Sequence, residues 1–399
     1  MKNQPSLSIG LFMSCLMLAA CGGGQSPVGS AAPPLLQTAE QNGLARAACP
    51  EAPGTPTCSA FIESRSGISP AVAGWAPSDL QTAYNLPSST KGSGQIVAIV
   101  DPYDDPNIAS DLAVYRSEFG LGTANFTKYN QEGQTSNYPS GNVGWGGNKS
   151  TEVEMVSAVC PLCTIYLIEA KSNSARNLEK AEAEAAKLGA HIVMNGWSCP
   201  KSLTCVHRSY YDTRGVINVV SSGTSGYNEN GAPEAFGSVV SVGGTMLSKT
   251  SSGYSEIAWH YTTAGCSNNG GSSPGITKPS WQHDPDCAFR TDTDVSAVAS
   301  DLAIYDSYGY AGWSTGGGTT GSAALIAGVF GLAGDASSKN AAKNFWTLSA
   351  KKRSKELHYI STGNDGTCGG EYLCQAGTNQ FGTYSGPAGW GTPNGIGAF

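Results

Sequence analysis

Five short runs of apolar residues constrain the fold of this chain more than any other feature of its sequence. Apolar and polar residues do not alternate along them, which is typical of strands that are buried on both faces of a sheet. The runs lie at residues 95–100, 164–169, 191–195, 216–221 and 239–242. A helix is predicted from Ala175 to Leu188, between the second and third runs, and Gly189 ends it. A strand, a helix and a strand at this spacing form a βαβ unit, so the sequence predicts an α/β fold with a largely parallel sheet.

A second strong helix is predicted from Gly321 to Leu332. Its residues are small or apolar all round, which indicates that the helix is buried. We expect one domain over residues 68–399. Open parallel sheets carry their sites at the carboxyl ends of the strands. Functional residues are therefore expected at the start of this helix and directly after four strand ends, at Val100, Ala170, Asn195 and Ser222.

The first 20 residues have the features of a signal peptide. Lys2 gives a positive start, and the apolar stretch from Leu7 to Ala20 is too short to span a membrane with ease. Leu-Ala-Ala and then Cys21 end this stretch, which resembles a bacterial lipobox. We predict cleavage before Cys21, acylation of its thiol, and a flexible tether over residues 21–47. The alternative is an ordinary cleavage site with an incidental cysteine.

Ten of the 12 cysteines follow Cys21, and they fall into five close pairs. The even number, the short spacing and the predicted export favour local disulfide bonds. The pairs are Cys49 and Cys58, Cys160 and Cys163, Cys199 and Cys205, Cys266 and Cys287, and Cys368 and Cys374. The first pair staples a short N-terminal segment, predicted over residues 48–67. A metal or redox site at the second pair is the alternative, but no second C-x-x-C completes a zinc site, so we favour a structural bond.

Charge and hydropathy limit the partners of the chain. The net charge of −7 argues against a nucleic-acid partner. No further long apolar run follows the signal peptide, so contact with a membrane is expected through the lipid anchor alone. We predict an exported lipoprotein at the outer membrane or the cell surface.

Short segments in one order along the chain match motifs of a known family. They lie at residues 77–86, 94–101, 111–115, 119–121, 158–161, 222–226, 242–245, 294–298, 317–319 and 391–395. None of them is specific alone, but together they cover nearly the whole chain from Pro77 to the end. In these segments the chain resembles the sedolisin family of serine-carboxyl peptidases, in its short bacterial branch. The resemblance implies a subtilisin-like three-layer fold, with a mostly parallel central sheet and helices on both faces.

The chemistry of that family uses four side chains, and all four positions differ here. The resemblance places Thr320 at the serine nucleophile, Asn148 at the glutamate base, Glu152 at the aspartate that orients the base, and Thr224 at the aspartate that helps to bind the oxyanion. A weak hydroxyl nucleophile needs a base within hydrogen-bond reach. Asn148 is therefore the decisive change, because an amide accepts no proton at a useful pH.

Neighbouring groups are not expected to replace the missing base. Ser322 lies on a different helix face from the nucleophile position, so we expect it to pack or cap. Glu154 is a candidate base, but Thr151 and Glu154 also fit a capping box, which is the favoured interpretation. A helix that begins there would leave the base position outside it. Asp101 ends a strand, but no His-Gly motif follows as in a subtilisin triad, so we interpret Asp101 as a turn residue.

A calcium site is also implied by the family, and its two aspartates are replaced by Tyr359 and Ser385. Calcium takes several hard oxygen ligands, usually with carboxylates among them. We therefore expect no metal and no other cofactor. Asp365 lies close enough in sequence for a displaced site, but we do not predict one there.

Three functions are compatible with these observations. We favour a catalytically impaired or inactive pseudo-peptidase that binds a polypeptide or a protein partner. The first alternative is an active serine-type endopeptidase that uses Thr320 with a non-standard carboxylate base, Glu152 or Glu154. The second alternative is a surface structural or adhesive protein with a vestigial groove.

Overall fold

A computed structural model describes residues 45–49, 54–63, 72–268, 275–334 and 340–399. The predicted signal peptide and the predicted lipid site at Cys21 lie outside these residues. All described residues belong to one unit, residues 32–399. Among the helices in these ranges, none has both the length and the hydropathy that a membrane span requires.

Seven α-helices and 18 β-strands lie in the described ranges, with one 3-10 helix at Arg208–Tyr211. The helices are α1 Pro77–Ala83, α2 Ile108–Glu118, α3 Val143–Val159, α4 Ala175–Lys187, α5 Thr319–Ala333, α6 Ala341–Thr347 and α7 Ala350–Glu356. The strands are β1 Ala45–Ala47, β2 Thr57–Cys58, β3 Phe61–Glu63, β4 Ile96–Pro102, β5 Asn125–Asn130, β6 Thr164–Ala170, β7 Ile192–Asn195, β8 Trp197–Ser198, β9 Ile217–Ser221, β10 Val239–Thr250, β11 Gly253–Ala258, β12 Gly265–Cys266, β13 Thr291–Asp292, β14 Val295–Val298, β15 Leu302–Asp306, β16 Gly312–Gly317, β17 Leu357–His358 and β18 Thr392–Pro393.

Eight strands form the central sheet, in the order β11-β10-β9-β7-β4-β6-β5 with β14 also paired to β10. The pairs within it are parallel except β10 with β11, which is antiparallel. Val97 to Val100 of the central strand β4 are fully buried, as expected for a strand that is covered on both faces. The predicted α/β fold and its mostly parallel sheet with helices on both faces are confirmed.

Helices α3 and α5 pack closely against each other, because glycine lets the two backbones approach. A Cβ atom at Gly328 of α5 would lie 2.3 Å from a methyl group of Val159 on α3. The predicted start of α3 was wrong. Thr151 does not cap it, because its hydroxyl donates to the carbonyl oxygen of Gly147 within the helix, at 3.0 Å. Asn142 is the N-cap, and its side chain accepts the backbone N–H of Trp145.

All five predicted disulfide pairs are confirmed. One boundary differs from the prediction for the N-terminal region. Residues 45–47, which were assigned to the flexible tether, form β1 and pair with β3. Strand β3 in turn pairs with β16, which leads into α5. The stapled N-terminal segment is thus part of a four-stranded sheet, β1-β3-β16-β15.

Candidate functional site

The start of α5 presents the predicted nucleophile position. Gly318 is the N-cap, with a φ of 98° that L side chains rarely adopt. Thr320 follows two residues later, in the first turn of the helix, and is fully buried. A hydroxyl at a helix N-terminus is where the family places its serine, so the structure puts Thr320 in the expected location.

Helix α3 brings two more predicted residues to the same point. Asn148 and Glu152 lie one turn apart, so both face Thr320 across the contact between α3 and α5. The hydroxyl of Thr320 is 3.1 Å from Asn148 Oδ1, and Asn148 Nδ2 donates to Glu152 Oε1 at 3.0 Å. Both residues are fully buried. Three of the four predicted positions therefore meet, with Asn148 between the other two.

The orientation of Asn148 decides what this cluster can do. Its Nδ2 also lies 3.3 and 3.2 Å from the two carboxylate oxygens of Asp101, so the NH₂ group faces the acids and the amide oxygen faces Thr320. The hydroxyl of Thr320 makes a shorter hydrogen bond, 2.7 Å, to the carbonyl oxygen of Gly196. Neither acceptor takes up a proton near neutral pH. Within the described ranges, no carboxylate accepts a hydrogen bond from the Thr320 hydroxyl.

Asp101 belongs to this cluster, and its interpretation as a turn residue was wrong. It lies near the carboxyl end of β4 and is fully buried. The ammonium group of Lys149, also buried, lies 3.8 Å from its carboxylate. The sequence feature that indicated a role for Asp101 in the site was its position directly after Val100, at the end of a central parallel strand. Functional sites of parallel sheets lie at the carboxyl ends of their strands.

The carboxyl groups of Asp101 and Glu152 lie in the same buried volume, which raises the pKa of both groups. Burial raises the pKa of Asp101 to about 7. Burial, and then the nearby charge of Asp101, raise the pKa of Glu152 well above its usual range. A glutamate at position 148 would add a third carboxyl group within hydrogen-bond distance of both. Asparagine donates to both acids instead, which lowers the cost of burying them.

The fourth predicted position, Thr224, lies in the loop after β9 and is half-buried. Contacts of Gly223, the residue before Thr224, hold the loop beside α5. The backbone N–H of Gly223 lies 3.1 Å from the Thr319 hydroxyl oxygen, which is also 3.1 Å from the carbonyl oxygen of Gly223. Within the described part of the chain, Thr224 makes no side-chain hydrogen bond to Thr320. The structure thus brings this residue next to the cluster but not into it.

Two other candidate catalytic side chains, Glu154 and Ser322, form hydrogen bonds with other parts of the fold. Glu154 accepts the backbone N–H of Tyr305 at 3.0 Å, on the side of α3 that faces β15. Ser322 donates to the carbonyl oxygen of Ala297 at 2.9 Å, so it packs against β14 as expected. Neither side chain reaches Thr320.

The residues at the family's calcium positions do not fit that ion. Tyr359 offers a phenol that donates to Asn379, and Ser385 offers a hydroxyl, so neither supplies a carboxylate. Asp365 is buried beside Cys368 and Cys374, but these two sulfur atoms are joined in a disulfide and are not free to bind a metal. One carboxylate is a poor donor set for calcium.

Glu234 was missed by the sequence analysis, and it lies under strand β8 of the site. It is fully buried, and its Oε1 accepts the Ser198 hydroxyl at 2.7 Å and the Gly231 N–H at 2.8 Å. Burial raises the pKa of Glu234 to about 8, whereas glutamate in an unfolded chain titrates near ~4.3. The folded chain then keeps a proton that the unfolded chain loses. The contribution of Glu234 to the free energy of unfolding is thus largest below about pH 4 and is lost as the pH rises through about 8.

Glu234→Gln is therefore expected to flatten this pH dependence. At pH 8 the variant should be more stable than the native chain by about 1–3 kcal/mol, and near pH 4 the two should be equal. Urea unfolding at several pH values measures this difference. Glu118→Gln, at an exposed position, is the matched control and should follow the native curve. An unchanged pH dependence in Glu234→Gln would contradict the buried, protonated acid.

Sequence comparison finds a partial similarity to one known protein. No family model matches the chain. Kumamolisin from Bacillus sp. (strain MN-32) is 28% identical over 245 residues, which are 55% of this chain and 43% of kumamolisin. The chain thus spans less than half the length of that relative.

Solved structures share the fold over most of the described chain. Pseudomonas sedolisin, a serine-carboxyl proteinase complexed with two molecules of pseudo-iodotyrostatin, superposes with a TM-score of 0.68 at 23% identity. The match covers 81% of this chain and 96% of sedolisin. Sphericase superposes with a TM-score of 0.51 at 16% identity, and the match covers 82% of this chain and 99% of the sphericase chain.

The predicted subtilisin-like fold is therefore confirmed. Over part of its length the chain is similar in sequence to kumamolisin, and it shares its fold with Pseudomonas sedolisin. The predicted resemblance to the sedolisins is confirmed by these two similarities.

Proposed function

We propose that this chain is an exported pseudo-peptidase, which binds extended polypeptide on a peptidase scaffold and does not cut it. One observation carries the proposal. Asn148, an amide, occupies the position between Thr320 and Glu152 from which a base would have to act. Because an amide oxygen does not accept the hydroxyl proton, Thr320 has no route to become a nucleophile.

Binding of polypeptide is supported by strand β8 beside the site, whose backbone already pairs with an extended segment of this chain. Strand β8 pairs in an antiparallel manner with β2, so its backbone groups can hold an extended chain. Addition of a strand to an exposed edge is a common mode of peptide recognition. The five disulfides support the export that the signal sequence predicts, since such bonds persist in oxidising compartments. Anchoring at the outer membrane or the cell surface through acylated Cys21 is part of the same proposal.

Fluorescence polarisation of a denatured, fluorescein-labelled protein tests this function. We expect binding by residues 22–399 at concentrations up to about 100 μM, the range of weak peptide recognition. Gels of the same samples should show an intact ligand. Thr320→Ala should bind equally, because the hydroxyl takes no part in holding the polypeptide.

Two results would contradict the proposal in different ways. Fragments that form with the native chain and not with Thr320→Ala would identify an active peptidase. No binding by either form would leave a structural or adhesive role for the scaffold.

A further inference from the structure

Residues 57–63 cross the candidate site and cover it. Four residues of this segment, Thr57 to Ala60, are each at most 6% exposed, although the segment lies outside the central sheet. Thr320 beneath it is fully buried. A nucleophile that acts on outside polypeptide needs an open approach, so the segment stands where a substrate would enter.

The first half of the segment binds as an extended strand. Thr57 and Cys58 pair with Ser198 and Trp197 of β8. The backbone N–H of Ser59 then donates to the carbonyl oxygen of Gly196 at 3.2 Å. This is the carbonyl that also accepts the Thr320 hydroxyl. The backbone of the segment and the side chain of Thr320 therefore bind the same carbonyl oxygen.

The carbonyl group of Ser59 takes the place of a reacting carbonyl. The backbone N–H of Thr320 donates to Ser59 O at 3.4 Å. In serine peptidases the backbone N–H of the nucleophile residue is one of the oxyanion donors. Gly318 makes room for this approach, since a Cβ atom there would lie 1.9 Å from Ser59 O. The Ser59–Ala60 peptide bond thus lies where a scissile bond would lie.

The second half of the segment leaves the site as β3. It pairs with Thr315 to Gly317 of β16, and the side chain of Ile62 is fully buried. The ring of Phe61 packs against Trp259, with ring centroids 6.0 Å apart. Before the site, the Cys49–Cys58 disulfide restrains the entry of the segment. The segment is held on both sides of Ser59.

We infer that residues 57–63 are the resident occupant of the groove between β8 and the start of α5, an internal and uncleaved substrate segment. An outside polypeptide binds only in exchange with this segment. The inference rests on the proposed function, because a groove that keeps an intact peptide must lack peptidase activity toward it. It also identifies the ligand class as an extended peptide that matches the backbone pattern of residues 57–63.

Ser59→Pro tests the exchange in the full mature chain, residues 22–399. Proline removes the N–H that donates to Gly196, so the segment should leave the groove more often. The probe is a fluorescein-labelled peptide with the sequence of residues 56–63, carrying Cys58→Ser. We expect its affinity for Ser59→Pro to be at least about tenfold higher than for the native chain, measured by polarisation. Ser59→Ala keeps the backbone N–H and is the matched control, expected within about twofold of native.

Amide hydrogen exchange gives a second measurement that does not depend on the folding of Ser59→Pro. In the native chain, the amide of Ser59, which donates to Gly196 O, should exchange at least about 100-fold more slowly than in an unstructured peptide. Exchange at the unstructured rate would overturn the inference.

The two measurements separate this inference from the proposed function. Equal peptide affinity of the native chain and Ser59→Pro, with the segment protected, would overturn the exchange and place polypeptide binding elsewhere. Rapid exchange of the segment in a folded Ser59→Pro that binds no peptide would contradict polypeptide binding itself.

Discussion

Restoring the four family side chains is expected to raise the cleavage rate of denatured protein by about 10³-fold or more over the native chain. The variant carries Asn148→Glu, Glu152→Asp, Thr224→Asp and Thr320→Ser. The new carboxylate would lie within reach of the nucleophile, because Asn148 Oδ1 already lies 3.1 Å from the Thr320 hydroxyl. Shortening residue 152 by one methylene offsets part of the crowding from a third acid. Release of labelled peptides between pH 3 and 8 measures the gain.

The matched control omits only Asn148→Glu and keeps the other three changes. It should remain within about tenfold of the native chain, because a base is still missing. Equal activity of the triple variant and the quadruple variant would show that the change at position 148 does not limit activity. The restored chain also has a substrate in place, so mass spectrometry should detect its own cleavage between Ser59 and Ala60.

Arg290→Met is expected to destabilise the fold by about 3–5 kcal/mol. Arg290 is fully buried, and its guanidinium donates to Asp294 at 2.6 Å. Asp294 also accepts the Trp346 indole N–H at 2.7 Å, so it joins β14 to α6. Methionine fills much of the volume but leaves Asp294 without its cation in the interior. The midpoint of urea unfolding, converted with a common slope, gives the loss.

Arg208→Met is the matched control for this experiment. Arg208 pairs with Asp212 at 3.3 Å, but both side chains are more than half exposed, so water screens the pair. We expect a loss below about 1 kcal/mol. Similar losses at positions 208 and 290 would contradict a structural role for the buried pair.

The sheet and two of its helices could be predicted because their sequences carry one consistent pattern. Strands buried on both faces are continuous apolar runs, and β4, β6, β7 and β9 lie within one or two residues of their predicted bounds. The five disulfides were predictable for a similar reason, since each joins cysteines that are close in sequence.

The start of α3 could not be predicted from local preference. It contains Gly144, Gly146 and Gly147, which disfavour a helix by about 1 kcal/mol each. Packing decides here, because a Cβ at Gly147 would lie 3.2 Å from the ring of Tyr310. The sequence therefore suggested a cap at Thr151, whereas tertiary contacts extend the helix to Val143 and place Asn148 inside it.

The remaining parts of the site depend on contacts between distant residues. Asp101 meets Asn148 across 47 residues, and Ser59 meets Thr320 across 261 residues. Nothing in the local sequence of residues 57–63 distinguishes a strand in a groove from a stapled surface loop. Only the pairing of β2 with β8 and of β3 with β16 reveals it.

We propose that this scaffold has lost the base that a serine-type peptidase requires. The direct test is the rate at which purified residues 22–399 cleave denatured protein, compared with Thr320→Ala, from acid to neutral pH. We expect the same background rate for both forms at every pH, with the chain folded and polypeptide still bound. Cleavage by the native chain that disappears in Thr320→Ala would contradict it, and would require a base that acts on Thr320 from outside the contacts described above.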